Sequence, residues 1–206
     1  MVRYTGSKNR IARRFGVNIF TRARNPLLHK ANPPGMHTGR RRKKSDYGLQ
    51  LEEKQKLRAI YGMLTQKQLL KNYREALSYK GNTAEIFMQM LECRLDNIVY
   101  RLRFAPTIFA AHQLVSHNHI FVNGKRVNIR SFKVKPGMVI SIKPASQKLK
   151  MIEQSISLAT REIPEYLELD ETKTSGTMSS LPGIDQIPLP LILNVPLVCE
   201  FLAHSL

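Results

Sequence analysis

The apolar positions of this 206-residue chain change period along its length, and each change marks a change of predicted structure. From Met1 to about Lys44 no period is sustained. Gly, Pro and Arg punctuate one short helical stretch, Ser7 to Phe15, and the cluster Asn32-Pro33-Pro34-Gly35 bars a continuous helix. After Asp46 a helical period sets in, with Leu57, Ile60, Tyr61 and Leu64 at i, i+3, i+4 and i+7 and Glu52 four residues before Lys56 as a supporting ion pair. A second helix carries Leu69, Leu70, Tyr73, Ala76 and Leu77, and Gly81 stands where it should stop. Asn82 followed by Glu85 reads as a capping box that starts a third helix through Ile86, Phe87, Met90 and Leu91. The same period runs on through Leu95, Ile98, Val99 and Leu102, with a break near Cys93. Pro106 then ends the run, and Thr107 can cap a short helix from Ile108 to Val115.

The period next falls to two. Ile120 and Val122 alternate on one strand and Val127 and Ile129 on the next, joined by Asn123-Gly124, a dipeptide suited to a tight hairpin turn. Pro136-Gly137 makes a further turn, Met138 to Ile142 a third strand, and Lys148 to Leu158 a last helical stretch before the C-terminal region. Leu189 to Leu206 is apolar, but Pro190, Asn194, Pro196, Glu200 and His204 interrupt it, which predicts a core-docking helix rather than a membrane span. No internal repeat is evident. At this length and 42% hydrophobic composition, two compact units with tails are expected.

Charge sharpens the picture. Thirty-three Lys and Arg against fifteen Asp and Glu give a formal net charge of +18, which calls for a polyanionic partner. Residues 1–44 hold thirteen of those bases and no acid, so they form an arm expected to order on a polyanion. From residue 162 onward the sign reverses, with seven acids against the single base Lys173. Cys93 and Cys199 are too far apart in sequence to suggest a disulfide framework or a zinc motif, and a reducing compartment fits best. No secretory signal is read at the N-terminus; an organelle transit peptide is the less favoured reading of its Arg-rich, acid-poor start.

The segment Arg94-Leu-Asp-Asn-Ile-Val-Tyr-Arg-Leu-Arg-Phe104, then Ala111 to His117, then Ile120-Phe-Val-Asn-Gly-Lys-Arg-Val127 joins two helices to a hairpin. It resembles the small RNA-binding module named after ribosomal protein S-four, which also occurs in pseudouridine synthases and a tRNA synthetase. Arg94, Asn97 and Arg101 fall at i, i+3 and i+7, opposite the apolar face, so a basic stripe is expected there. Arg103, His117 and the hairpin-tip residues Lys125 and Arg126 extend the expected RNA surface. Arg94 and Arg101 have an alternative role, as structural partners of Asp96 or Glu92.

The flanks favour one family among those that carry the module. Pro34-Gly-Met-His37, the run Arg41 to Arg58 with Tyr61-Gly62, the opening Met1 to Lys8, and Asn194 through Glu200 resemble the S-four family of small-subunit ribosomal proteins over nearly the whole chain. The resemblance implies an α+β fold: a basic N-terminal arm (residues 1–44), a mainly helical first domain (45–92 with 160–206) and an inserted RNA-binding module (93–159), with helices packed on a short antiparallel sheet. It implies direct binding to small-subunit rRNA early in assembly, contact with neighbouring ribosomal proteins, notably S-five, at an interface affecting accuracy, and a cytoplasmic place in the small subunit, an organellar ribosome being the alternative. The expected RNA contacts in the arm are Arg3, Lys8, Arg10, Arg13, Arg14, Arg40, Arg41, Arg42, Lys43 and Lys44, and in the first helical domain Tyr47, Lys54, Lys56 and Arg58. Neither membrane association nor obligate homo-oligomerisation is implied.

Some relatives hold a cysteine-ligated zinc in the arm, but residues 1–92 contain no Cys, so no metal is expected, and no cofactor. Met36 and Thr38 stand where the family more often has Gln and Gly, and Pro196 with the run Pro188 to Leu193 replaces a more polar stretch. His117-Asn118-His119 lacks the acidic cluster a metal nuclease needs, Ser116 lies in no nucleophile elbow, and no phosphate-loop Gly-Lys-Ser/Thr occurs. A pseudouridine synthase would need a separate catalytic domain, for which too little chain follows the module. A free regulator binding an mRNA leader is the third reading; cosedimentation with subunits would separate it from the first. Tyr47 is expected more as a packing residue than as a base stacker.

Overall fold

In the computed structural model, residues 4–22, 24–36, 43–158 and 161–206 are described; Arg3, Arg40, Arg41 and Arg42 lie outside them. The chain divides into two compact units, one running to Lys80 and resuming at Leu189–Leu206, the other spanning Gly81–Pro188. Residues 81–92 and 161–188, read from sequence as part of the helical domain, lie in the second unit.

In the first unit, α1 (Lys8–Phe15) ends on Gly16, whose φ of 70° is the left-handed conformation that closes a helix. The short α2 (Pro26–His29) is capped by the Asn25 side chain, which accepts from Leu27 N–H. Next come α3 (Asp46–Ile60), capped by Ser45, and α4 (Gln66–Leu77), where Thr65 and Gln68 form a reciprocal capping box. That box had been expected at Asn82; there the Asn side chain instead accepts from Ala84 N–H, two residues on. The terminal helix α9 (Val195–Ala203), capped by Asn194, packs on α3 and α4 and fully buries Val198 and Leu202. Burial of each such side chain is worth about 1.5–3 kcal/mol. Leu77, expected in the apolar stripe of α4, is instead exposed at the helix end.

In the second unit the long helical run breaks into α5 (Thr83–Glu92) and α6 (Leu95–Arg101), followed by α7 (Ile108–Ser116), capped by Thr107. Strand β1 (Ile120–Val122) turns through Asn123 and Gly124, with φ values of 47° and 74°, into β2 (Lys125–Arg126). The turn is the one this dipeptide favours, because both central residues require positive φ. The second strand, however, stops before the expected Val127 and Ile129. Beyond it the chain runs back alongside the start of α6, where Leu95 N–H donates to Phe132 O at 2.8 Å and Asp96 N–H to Arg130 O at 3.3 Å. Those amides lie at the helix N-terminus, where donors lack intrahelical partners, and satisfying them outweighs a longer strand.

β3 (Val139–Ile142), α8 (Lys150–Leu158) and two strands not foreseen, β4 (Leu167–Leu169) and β5 (Ser175–Met178), complete the unit. The sheet is antiparallel throughout, in the order β2-β1-β3-β5-β4. Its inner face and α6, α7 and α8 enclose a core that includes Leu95, Ile98, Leu102, Val115, Ile140, Ile152 and Met178. The β5 strand escaped detection because Ser175-Gly176-Thr177-Met178 lacks the β-branched alternation of a strand, and Gly176 has a packing reason. A Cβ there would lie 2.6 Å from Leu102 Cδ2 and 3.0 Å from Glu168 O. Since Leu102 is fully buried, Gly176→Ala is expected to lower stability by about 1–3 kcal/mol through overpacking, measured by urea unfolding. An unchanged midpoint would contradict this account.

Candidate nucleic-acid interface

The residues of the proposed basic stripe turn inward. Arg94 donates to both oxygens of Asp96, from Nε at 3.1 Å and Nη2 at 2.7 Å, and its side chain is almost fully buried. Asp96 also accepts from Asn97 N–H, and His112 Nε2 stands 3.2 Å from Oδ2, off the line of a good hydrogen bond. Burial alone would raise the Asp96 pKa, but His112 and Arg94 together outweigh it and hold the carboxyl below its usual range. Arg101 donates from Nε to Glu92 Oε1 at 2.6 Å and from Nη1 to Pro188 O at 2.9 Å. The same Glu92 oxygen accepts from Tyr166 OH at 2.7 Å, and Asn97 Nδ2 donates to Glu92 O at 3.1 Å.

Helix α6 is therefore buried nearly all round, and Arg94, Asn97 and Arg101 do not form the exposed stripe expected of them. Periodicity identified their shared face correctly; the covering of that face by Glu92 and Tyr166 was invisible to it. The structural alternative, pairing with Asp96 and Glu92, is what the geometry contains. Arg161, which sequence reading did not single out, clamps the other end of the helix. It donates to Pro106 O, Ala105 O and Tyr100 O at 2.8–3.3 Å, and its guanidinium lies 4.0 Å from the Tyr100 ring centroid.

The first-unit candidates are likewise divided. Lys54 is buried with Nζ 4.0 Å from the Phe201 ring centroid, and desolvation, then Arg58, lowers its pKa. Lys56 pairs with Glu53, Lys44 with Glu52, and Arg58 donates to Leu64 O at 2.6 Å. Tyr47 packs against Phe201 with centroids 5.5 Å apart yet remains 63% exposed, so packing leaves much of its ring open. In the arm, Arg13 donates to Asn32 O and Pro33 O, folding the chain back on α1, while Lys8 is half-buried and Arg10, Arg14 and Lys43 are exposed.

Of the residues expected to meet RNA in the second unit, those that stay exposed are at the hairpin and beside it. Lys125 and Arg126 are exposed, with no carboxylate paired to either among the described residues. His117 is exposed beside His119, their rings stacked 6.3 Å apart, and Lys143 lies close enough to help lower the His119 pKa, after burial and His117. Arg130, half-buried next to Asp96 and Arg94, and exposed Lys135 add charge that sequence reading missed. Their signal was available in the basic run Arg130 to Lys135. Arg103 is half-buried and stands apart, on a backbone of positive φ.

Cys93 is buried, and burial, then Glu92, pushes its thiol up to about 12; Cys199 is likewise raised to about 11 by burial and Glu200. Both are protonated at neutral pH and poor nucleophiles. No cluster of three or more His, Cys, Asp or Glu could hold a metal, and no described helix is long and apolar enough to cross a membrane.

An α+β module that keeps Lys125, Arg126 and His117 exposed, in a chain whose first 44 residues hold thirteen bases and no acid, has the charge distribution of the class of proteins that meet a polyanion through its phosphates. Comparison with known proteins narrows the class. Residues 3–92 match the "Ribosomal protein S4/S9 N-terminal domain" and residues 93–140 the "S4 domain". The chain is 63% identical to small ribosomal subunit protein uS4 of Protochlamydia amoebophila, over 100% of both chains. It is 58% identical to the protein of that name from Chlamydia trachomatis serovar D and 55% identical to that from Chlamydia pneumoniae, over 99% of both chains in each case. The chain belongs to the uS4 family of small-subunit ribosomal proteins, a family of structural components and not of enzymes.

Proposed function

We propose that this chain binds small-subunit rRNA directly, neutralises converging backbone strands, and helps nucleate assembly of the subunit body. The observation that carries the reading is the exposed, unpaired Lys125-Arg126 tip, held on a rigid sheet in a chain whose first 44 residues contain thirteen bases and no acid. The names of the full-length relatives support the same assignment. In this reading Arg94, Asn97 and Arg101 set the shape of the platform, and the phosphates are met by the arm, Lys125, Arg126 and His117. A contact with the neighbouring protein S-five that affects decoding accuracy extends the proposal.

Filter binding of the full chain to a small-subunit rRNA fragment tests it. With 6–10 phosphates engaged, affinity should fall by about 10³–10⁵ between 50 and 200 mM salt. Lys125→Ala with Arg126→Ala should weaken binding and reduce the salt slope by about 2, and removal of the arm should do both to a greater degree. Weak binding indifferent to salt, or unchanged protection of the rRNA in both variants, would overturn the reading. Reconstitution of subunits with and without the chain, scored for body assembly and then for misreading, tests the two finer roles.

A further inference from the structure

His117 and His119 flank Asn118, whose left-handed φ of 64° ends α7 and turns the chain into β1. The turn sets the two imidazoles side by side, with centroids 6.3 Å apart and planes 25° from parallel. Two contacts hold His119 in place. Its N–H donates to Leu114 O at 3.0 Å, and its Nδ1 lies 2.8 Å from the Oγ of buried Ser146. A hydroxyl both donates and accepts, so this bond survives whether Nδ1 is bare or protonated. It leaves Nε2 as the ring nitrogen without a hydrogen-bond partner among the described residues.

The charges around the pair are of one sign. His119 feels His117 from the same turn and Lys143 from the segment after β3, whose N–H donates to His119 O at 2.8 Å. Strands β1 and β3 carry no charged residue, and His112, in α7, stands against Asp96 instead. Among the described residues no carboxylate forms an ion pair with His117, His119 or Lys143. His117 and Lys143 are exposed, and His117 caps the C-terminal end of α7, where the helix dipole favours a cation. Burial, then His117 and Lys143, keeps the His119 pKa below its ordinary value, so the free protein holds that ring largely neutral at pH 7. Three neighbouring bases thus lack a counter-ion, and two of them change charge near neutrality.

We propose that His117, His119 and Lys143 form a binding site for a backbone phosphate of RNA, and that filling it takes up a proton on the histidine pair. This site rests on the rRNA reading above, to which it adds His119, Lys143 and a dependence on pH. A phosphodiester keeps its negative charge throughout the range in which histidine titrates, so the linkage belongs to the protein. A phosphate beside the pair favours the imidazolium and raises its pKa above that of the free chain. Between the two values the complex holds more protons than its free components. Affinity is therefore greatest below the free value and declines as pH rises through the bound one.

Binding of the full chain to a small-subunit rRNA fragment, measured at fixed salt between about pH 8 and about pH 6, tests the site. The dissociation constant should fall about tenfold toward the acid end. Calorimetry midway, in two buffers of different ionisation enthalpy, should show net proton uptake. His117→Gln with His119→Gln should bind close to the parent at the alkaline end and lose the gain at the acid end. Lys143→Gln should weaken binding throughout and reduce the salt slope by about 1. Lys125→Ala with Arg126→Ala should weaken binding throughout yet keep the gain, because neither residue titrates in this range. The histidine Cε1–H resonances of the unaltered chain read the site without a substitution, and those of His117 and His119 should titrate at higher pH in the complex. Affinity that falls steeply with salt but is indifferent to pH would overturn this site and leave the rRNA reading standing. Absence of salt-dependent binding at any pH would overturn both. A gain kept in full by the double histidine variant, or resonances whose titration the RNA leaves unchanged, would place the proton elsewhere and overturn the site.

Discussion

Glu92→Ala is expected to cost the second unit about 3–5 kcal/mol, the range for removing one partner of a buried ion pair. The carboxylate is fully buried and accepts from both Arg101 Nε and Tyr166 OH through one oxygen. Without it the Arg101 guanidinium keeps Pro188 O but loses its counter-charge, and the Tyr166 hydroxyl loses its acceptor in a site where burial, then Glu92, already raises its pKa. Removing both charges changes the outcome. Glu92→Met with Arg101→Met should recover much of the loss, because the desolvation cost disappears along with the attraction. Hydrogen exchange of the α6 amides reads this unit directly; a loss below about 1 kcal/mol in the single variant would contradict the assigned role.

The second large effect is expected at Asp96 and depends on pH. Its folded pKa is depressed, so the folded unit binds fewer protons than the unfolded chain as the carboxyl begins to titrate. The stability it contributes is therefore fully present above the unfolded value of about 3.9 and is lost as pH falls through the folded value. Asp96→Asn should remove about 3 kcal/mol at neutral pH, since Arg94 then remains buried without a counter-ion. It should also flatten the acid limb of stability against pH. Urea unfolding at a series of pH values measures both, and an acid limb as steep in Asp96→Asn as in the parent chain would assign that limb to another carboxylate.

Much of the fold was legible in the sequence, and the reasons are local. The helical period found α3 and α4, Thr107 marked the start of α7, and Asn123-Gly124 fixed the hairpin turn because few residues accept positive φ at both positions. The failures share a different cause. β2 is short because residues 130–132 are drawn off to the amides at the start of α6, and β5 is a strand because its Gly176 admits Leu102. Both depend on a neighbour distant in sequence.

The proposed nucleic-acid surface follows the same division. The sequence by itself determined where positive charge is concentrated and that its carrier is a helix pair with a hairpin, since composition and period are properties of the chain read in order. Only the tertiary structure decided which charges are available. Arg94 and Arg101 share a helix face with Asn97, as their spacing requires, but Asp96 lies two residues from Arg94, Glu92 nine from Arg101, and Tyr166 a further 74 from Glu92. A buried guanidinium must be paired to be tolerated, and those partners turned the expected stripe into the interior support of the platform. Lys125 and Arg126, exposed at the end of the hairpin with no carboxylate paired to them among the described residues, kept their charge facing outward.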